Sequence, residues 1–231
     1  RSSMIHYDKS YFIKRDHLDR HLADTLALLA HQRQAHNLLD VGCGSANLIA
    51  DLEKRGFDSF GIDHSWEALK LARNNLGRRI LRASATHLPF QNQSLDLVTA
   101  ISVIEHLRLQ EARTFLSEVQ RVLKSGGTLF LVTPNFSSPW RLLQGKSWFA
   151  FTDPTHKHYF TPRSLTNLIL ESGFTNPVFS FKTTYVPPYN WEFPGIAGRL
   201  PSLVKSILTF LLISTLLWRI RNSFWLAVRK R

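Results

Sequence analysis

Apolar residues recur at helical spacing at Leu18, Leu22, Leu26 and Leu29, which predicts an amphipathic helix between His17 and Gln32. A short apolar strand follows from Asn37 to Val41 and stops at glycines, and Ala46 to Arg55 reads as a helix closed by Gly56. Phe57 to Asp63 reads as a second strand, and Ser65 is a natural N-cap for a helix running to about Gly77. Further strands are predicted at Arg79 to Ser84, Leu95 to Ser102 and Thr128 to Thr133, with a helix from Leu109 to Leu123 before the last of these. Thr161-Pro162 opens a helix that ends at Gly173, and Val178 to Phe181 and Phe224 to Val228 read as the sixth and seventh strands. Strand and helix alternate, so the fold class is α/β: a doubly wound, Rossmann-like sheet of seven strands with helices on both faces.

The turn after the first strand carries the chemistry. Glycines between a strand and a helix let the backbone approach a ligand, and the helix offers unpaired N–H groups. Asp63 follows Asp40 by 23 positions, where a dinucleotide fold places the acid that accepts from ribose hydroxyls. Pyrophosphate binding wants a third glycine at position 47, and that residue is Asn47. Asp40, ahead of the first glycine, would repel a pyrophosphate and suits a ligand with a cationic amino group.

Composition narrows the setting. The 231 residues suffice for one domain, taken as 4–231, since the three residues before Met4 read as a cloning remnant. With Cys43 as the only cysteine there is no disulfide framework and no Cys-based metal site, and no metal ligands are predicted. No signal peptide opens the chain, which predicts a cytoplasmic location. The formal charge of +12 favours an anionic partner, whether nucleic acid, phospholipid headgroups or a phosphorylated substrate, against the plainer reading of a solvated basic surface.

Asp40-Val41-Gly42-Cys43-Gly44-Ser45-Ala46 resembles motif I of the class I S-adenosylmethionine-dependent methyltransferases. Further segments resemble that family in its own order: Gly61-Ile62-Asp63-His64-Ser65, Ala83 to Phe90, Leu95 to Val98 with Ser102 to Leu107, and Val122 to Gly127. The likeness runs from about Leu38 to Gly173 and is nearest the small-molecule branch, including quinone-biosynthesis enzymes. It implies a mostly parallel sheet with an antiparallel last strand, and S-adenosylmethionine as cofactor. It further implies that Asp40, Gly42, Cys43 and Gly44 hold the methionine part, that Asp63 takes the ribose diol and that His64 flanks the adenine. Ser84 and Ala85 would line the adenine edge, and Ile101 and Ser102 would close the pocket beside the sulfonium. Two positions depart from the pattern: Ala46 replaces the third glycine, and Ser84 replaces the usual Asp.

Methyl transfer to an oxygen needs alignment and a proton acceptor. Thr152 to Pro162 resembles the Asp-Pro-x-His segment over the acceptor pocket, so His156 is the candidate base or acceptor ligand, with His106 and Tyr159 beside it. The alternative is that His156 merely hydrogen-bonds the loop backbone. Residues 135–160 form a lid, in which Trp140, Arg141, Lys146, Trp148 and Phe149 could stack on a ring, grip a phosphate, touch a membrane or simply pack.

Residues 183–222 form an insertion between the last two strands. Leu203 to Trp218 would make a helix of about 24 Å, short of the roughly 30 Å bilayer core. Its edges, with Trp218, Lys205, Arg219 and Arg221, suit an interfacial helix over 200–221, peripheral on the inner membrane face. A substrate cap and a homodimer contact are the competing roles. The predicted activity is O-methylation of a small or lipid-like acceptor. RNA methylation and a catalytically idle binding module are the alternatives, and no RNA-binding motif supports the first.

Overall fold

The computed structural model describes residues 18–76, 79–180, 199–201, 203–205, 207, 208, 211 and 219–231. Asp19 caps helix α1 (Arg20–Gln32) by accepting from the Leu22 N–H at 3.0 Å. Then come β1 (Asn37–Val41), α2 (Asn47–Lys54), β2 (Asp58–Asp63), α3 (Trp66–Leu76), β3 (Ile80–Arg82) and β4 (Leu95–Ile101). A 3-10 turn, Ile104–His106, leads into α4 (Leu109–Val122) and β5 (Leu123–Pro134). Short helices α5 (Pro139–Gln144) and α6 (Phe149–Thr152) precede α7 (Pro162–Glu171), β6 (Phe174–Val178) and β7 (Ser223–Lys230).

The sheet order is β3-β2-β1-β4-β5-β7-β6, parallel through β5, with β7 antiparallel to both neighbours. Successive side chains serve opposite faces. Leu39, Leu129 and Leu131 join Phe115, Val119, Leu165 and Ile169 of α4 and α7, whereas Leu38, Phe130 and Trp225 join Leu22, Leu26, Leu48 and Leu52 of α1 and α2. Asp96 ties the opposite edge of the sheet, accepting from the backbone N–H groups of His36 and Asn37 and pairing with Lys124 at 2.7 Å.

Three boundaries differ from expectation. The sixth strand begins at Phe174 rather than Val178, because Gly173 at φ 90° turns the chain directly out of α7. Its Thr-Asn-Pro run hides the strand, but β6 is an edge strand, where proline is tolerated. Strand β5 starts at Leu123 rather than Thr128: Leu123 pairs with Leu95 and Thr128 with Leu97, so Lys124 to Gly127 loop out between two paired residues. Strand β3 is only Ile80–Arg82. The predicted insertion 183–222, and with it the interfacial helix 200–221, lies mostly outside the described residues.

The chain leaves β1 toward β2 and β3 on one side and leaves β4 toward β5 on the other. Ligands of open α/β sheets bind in the crevice at such a reversal, beyond the carboxyl ends of the strands. Gly42 to Ala46 and Ile101 to His106 therefore share one edge.

Candidate functional site

Past β1 the backbone folds over the end of β2, with the Gly42 and Cys43 N–H groups donating to the Ile62 carbonyl at 2.8 and 3.0 Å. Gly42 has φ +74°, and a Cβ there would lie 2.5 Å from Val103 Cγ2, so the loop after β4 needs a glycine opposite it. The Asp63 carboxylate accepts from the Gly44 N–H at 3.0 Å and the Ser65 N–H at 2.8 Å, fixing the glycine turn against the end of β2. Cys43 turns its side chain inward against Gly61, where an added Cβ would meet its Sγ at 2.7 Å, so only its backbone faces the crevice. Ala46 sits in the left-handed region at φ 62°, a conformation costing about 1–2 kcal/mol for a non-glycine residue, and no side chain caps the helix it opens. That helix start suits the carboxylate of an amino-acid moiety.

Asp40 lies under this turn, 5% exposed, and accepts from Thr99 Oγ1 at 2.6 Å. Burial pushes its carboxyl up to about 7, against the pull of the Thr99 hydrogen bond and with repulsion from Asp63 added. A buried acid raised in this way gains from a cationic ligand, which is what an α-ammonium or a sulfonium supplies. The residues present therefore fit S-adenosylmethionine.

The adenine side is arranged differently from expectation. His64 is exposed, its Nδ1 3.6 Å from Asp63 Oδ1. Ala85 is half-buried against the main core. Ser84 spends its hydroxyl within its own turn, 2.8 Å from Thr86 Oγ1 and accepting from the Thr86 N–H at 3.2 Å, so reaching an adenine amino group would cost it that turn. Ile101 is half-buried at the end of β4, and Ser102 follows in the left-handed region at φ 54°, exposed at the crevice.

The three candidate catalytic residues come together. The rings of His106 and His156 are 4.7 Å apart and those of His156 and Tyr159 are 6.3 Å apart. Backbone pairing builds the cluster: the Glu105 carbonyl accepts from the N–H groups of Lys157 at 2.8 Å and His158 at 3.1 Å, which seats the Asp-Pro-Thr-His loop on the 3-10 turn. His156 does bond the loop backbone, through Nδ1 to the Ala150 carbonyl at 2.7 Å, and its side chain is 6% exposed. A carbonyl only accepts, so Nδ1 carries the hydrogen, while Nε2 lies 4.0 Å from Asp153 Oδ2. Thr155 donates to Asp153 Oδ1, and its oxygen lies 2.8 Å from His106 Nδ1. The hydrogen of His106 therefore also sits on Nδ1.

Trp148 takes the packing role among the alternatives for the lid aromatics: it is fully buried, with Nε1 donating to Asn222 Oδ1 at 3.1 Å. Its neighbours build an aromatic wall in which Phe136 stacks on Tyr159 at 5.5 Å and Arg141 lies over Phe136 at 4.3 Å. Trp140 and Phe149 stay exposed.

Two sets of residues escaped the sequence reading. Glu105 is 1% exposed; its Oε2 accepts from Thr133 Oγ1 at 3.0 Å, and Oε1 has no hydrogen-bond partner among the described residues. Burial pushes its carboxyl up to about 7. The one available signal was its place beside His106, since a charged residue in a short turn otherwise reads as exposed. Arg121 of α4 donates to the carbonyls of Leu88 and Phe90 at 2.8 and 2.7 Å and pairs with Glu118, which also accepts from the Leu88 N–H. Hydrogen bonds from Arg121 hold the Glu118 carboxyl down to about 2.

Replacing Arg121 frees the loop 84–92, so Arg121→Leu should raise amide exchange there at least tenfold while β4 and β5 stay protected. It should also lower stability by about 1–3 kcal/mol, since two backbone carbonyls and Glu118 lose a charged partner. Unchanged exchange in 84–92 would show that the loop holds itself.

A family model described as a methyltransferase domain matches residues 39–131. A probable S-adenosylmethionine-dependent methyltransferase of Mycolicibacterium smegmatis is 31% identical over 150 residues, covering 63% of this chain and 54% of the relative. A ubiquinone biosynthesis O-methyltransferase of Idiomarina loihiensis is 33% identical over 104 residues, 42% of each chain. The chain thus spans about half the length of the first of these curated relatives, and less of the second. Among solved structures, an S-adenosylmethionine-dependent methyltransferase from Archaeoglobus fulgidus superposes with a TM-score of 0.63 at 17% identity, covering 95% of this chain and 99% of that one, which shows the shared fold. With the motifs in order, the sheet reversed at the glycine turn and these matches in hand, residues 39–131 match a methyltransferase domain, and the chain shares the fold of S-adenosylmethionine-dependent methyltransferases.

Proposed function

We propose that this chain methylates an oxygen of a small or lipid-like acceptor seated over His106 and His156, working at a membrane surface. The observation that carries the reading is the cluster of Glu105, His106, His156 and Tyr159 beside the cofactor crevice, walled by Phe136 and Phe151. Bound S-adenosylmethionine supplies an activated methyl group. Asp40 and the uncapped start of α2 hold its charged amino-acid end, and the left-handed turn at Ser102 brings the end of β4 against the crevice. An acceptor hydroxyl over the two rings gives its proton to the cluster, and the aromatic wall excludes water and aligns a flat or apolar acceptor. A relative named as an O-methyltransferase of ubiquinone biosynthesis supports oxygen as the acceptor atom and an apolar substrate.

The membrane half of the proposal is supported by the outer side of the lid. Leu142 and Leu143 are 72% and 77% exposed, with Trp140, Phe149 and Phe151 also exposed and Arg141 and Lys146 among them. Exposed apolar and aromatic residues flanked by cations suit an anionic lipid interface. Among the described residues no helix is long and apolar enough to cross a membrane.

Calorimetry with S-adenosylmethionine tests the cofactor step. Protonated Asp40 cannot pair with a cation, so cofactor affinity should fall about tenfold per pH unit as pH drops below 7, with proton release on binding near neutrality. Asp40→Asn should flatten that dependence and weaken binding at pH 8. No binding at millimolar cofactor would end the enzymatic reading.

For the acceptor step, hydroxyquinones and long-chain phenols are natural probes, with a methylated product followed by mass. His156→Gln should lower turnover by about a hundredfold or more while cofactor affinity stays within threefold. Equal turnover in the variant would remove His156 from the chemistry.

Flotation with vesicles containing phosphatidylglycerol should carry the intact chain to the top fraction. The double change Leu142→Asp and Leu143→Asp should leave it at the bottom. A wild-type chain that never floats would refute the membrane half.

A further inference from the structure

We propose that Glu105, His106 and His156 form a site for one divalent first-row transition cation, Zn2+ or Mn2+, whose remaining positions bind the oxygen of the acceptor. Each of the three residues offers a ligand atom, and these atoms lie within 4.8 Å of one another. Cation bonds of about 2.0–2.2 Å would draw them to roughly 3–3.5 Å, a movement that side-chain rotation supplies.

The hydrogen-bond pattern around the cluster is that of ligands already oriented. His156 spends its Nδ1 hydrogen on the Ala150 carbonyl, and His106 spends its own on the Thr155 oxygen, behind which stands the Asp153 carboxylate. In the neutral rings these bonds put the lone pair on Nε2, that of His156 lying 4.0 Å from Asp153 Oδ2. Metal-bound histidines are held in this way, the second ring nitrogen donating to a carbonyl or to a group backed by a carboxylate. Glu105 is oriented too. Thr133 holds Oε2, the Ser102 hydroxyl and Glu105's own N–H approach the same carboxylate, and Oε1 is buried with no partner at full hydrogen-bond distance among the described residues. An orphan carboxylate oxygen in the interior costs free energy unless a cation or donor meets it.

Two imidazole nitrogens and one carboxylate oxygen with open positions make a set suited to Zn2+, Mn2+ or Fe2+, whereas Mg2+ prefers oxygen ligands alone. Because no cysteine takes part, cysteine spacing could not reveal the site. A cation here would lower the pKa of a bound hydroxyl, so the histidines would act as ligands rather than as bases. That acceptor role rests on the methyl-transfer reading of the preceding section; cation binding itself does not.

The test uses the full chain, stripped with chelator and then titrated with ZnCl2 or MnCl2. The expected result is one equivalent bound at micromolar or tighter affinity, with Mn2+ spin-echo spectra showing coupling to two imidazole nitrogens. His156→Gln and Glu105→Gln should each weaken binding at least tenfold. Should the buried Glu105 variant fail to fold, Thr155→Val, which removes the hydroxyl behind His106, should weaken binding about 10–100-fold in a folded chain. Substoichiometric binding, or affinity unchanged in the His156 and Thr155 variants, would overturn the proposal. Calorimetry with S-adenosylmethionine on the metal-free chain separates the two readings. Cofactor binding without cation binding refutes the metal site alone, and cation binding without cofactor binding refutes the methyl-transfer reading alone.

Discussion

The carboxyl edge of the sheet buries three acids, Asp40, Asp63 and Glu105, and among the described residues no lysine or arginine pairs with any of them. Removing a carboxylate from water is among the costliest things a fold does, and this chain does it three times along one crevice. Asp63 offsets its cost with two backbone N–H groups, and in doing so fixes the glycine turn. Asp40 receives the Thr99 hydroxyl and Glu105 those of Thr133 and Ser102, yet burial pushes both up to about 7. The edge is thus a cluster of buried acids with no lysine or arginine counter-ion among the described residues, His64 alone standing beside Asp63. The rest of the molecule is arranged around keeping it dry and shaped.

The scaffold holds that shape with backbone interactions. Two non-glycine residues in the left-handed region, Ala46 and Ser102, stand at the ends of the two strands that flank the reversal. Each stores about 1–2 kcal/mol that the packed sheet below them sustains. Gly42 fits against Val103 only because it lacks a Cβ, and the Glu105 carbonyl gathers the His156 loop through two N–H groups. The cofactor turn, the 3-10 turn and the acceptor loop therefore form one mechanical unit, and a shift of the loop after β4 would be felt at both ends of the site.

How much of this was legible depended on whether the information is local. The alternation of strands and helices, the cap at Thr161 and the turn from Gly42 to Ala46 are written in neighbouring residues, and they were read with boundaries off by a few positions, whereas the Asp19 cap was not read. Strand β6 was misplaced because its partners on β7 lie some fifty residues away and an edge strand needs no apolar alternation. The hydroxyl of Ser84 was assigned outward, since its bond to Thr86 is a property of the folded turn. The role of Trp148 was left open between ligand, membrane and packing, and what decides for packing is distant in sequence: its indole N–H finds Asn222 from the far end of the chain. Glu105 and Arg121 were missed for the same reason. A charged side chain gives no hint along the sequence that tertiary structure will bury it or aim it at a distant carbonyl.

On the proposed reading, the distribution of buried charge lets cofactor and acceptor share one small crevice. A positively charged ligand near Asp40 and a hydroxyl losing its proton near Glu105 place opposite charge changes at the two ends of the site. In a low-dielectric edge those changes are felt strongly, so each acid needs its own partner rather than a shared one. Asp40 has Thr99 and the place for a cation above it, while Glu105 has Thr133 and the paired imidazoles. Exchanging Thr99 for an apolar residue would leave Asp40 without the one side-chain hydrogen bond it has among the described residues. The acid would then stay protonated near neutrality, and its half of the site would lose the charge on which ligand binding depends. The two threonines sit on neighbouring strands, β4 and β5, so the same parallel pairing that builds the sheet also sets the spacing between the two charges.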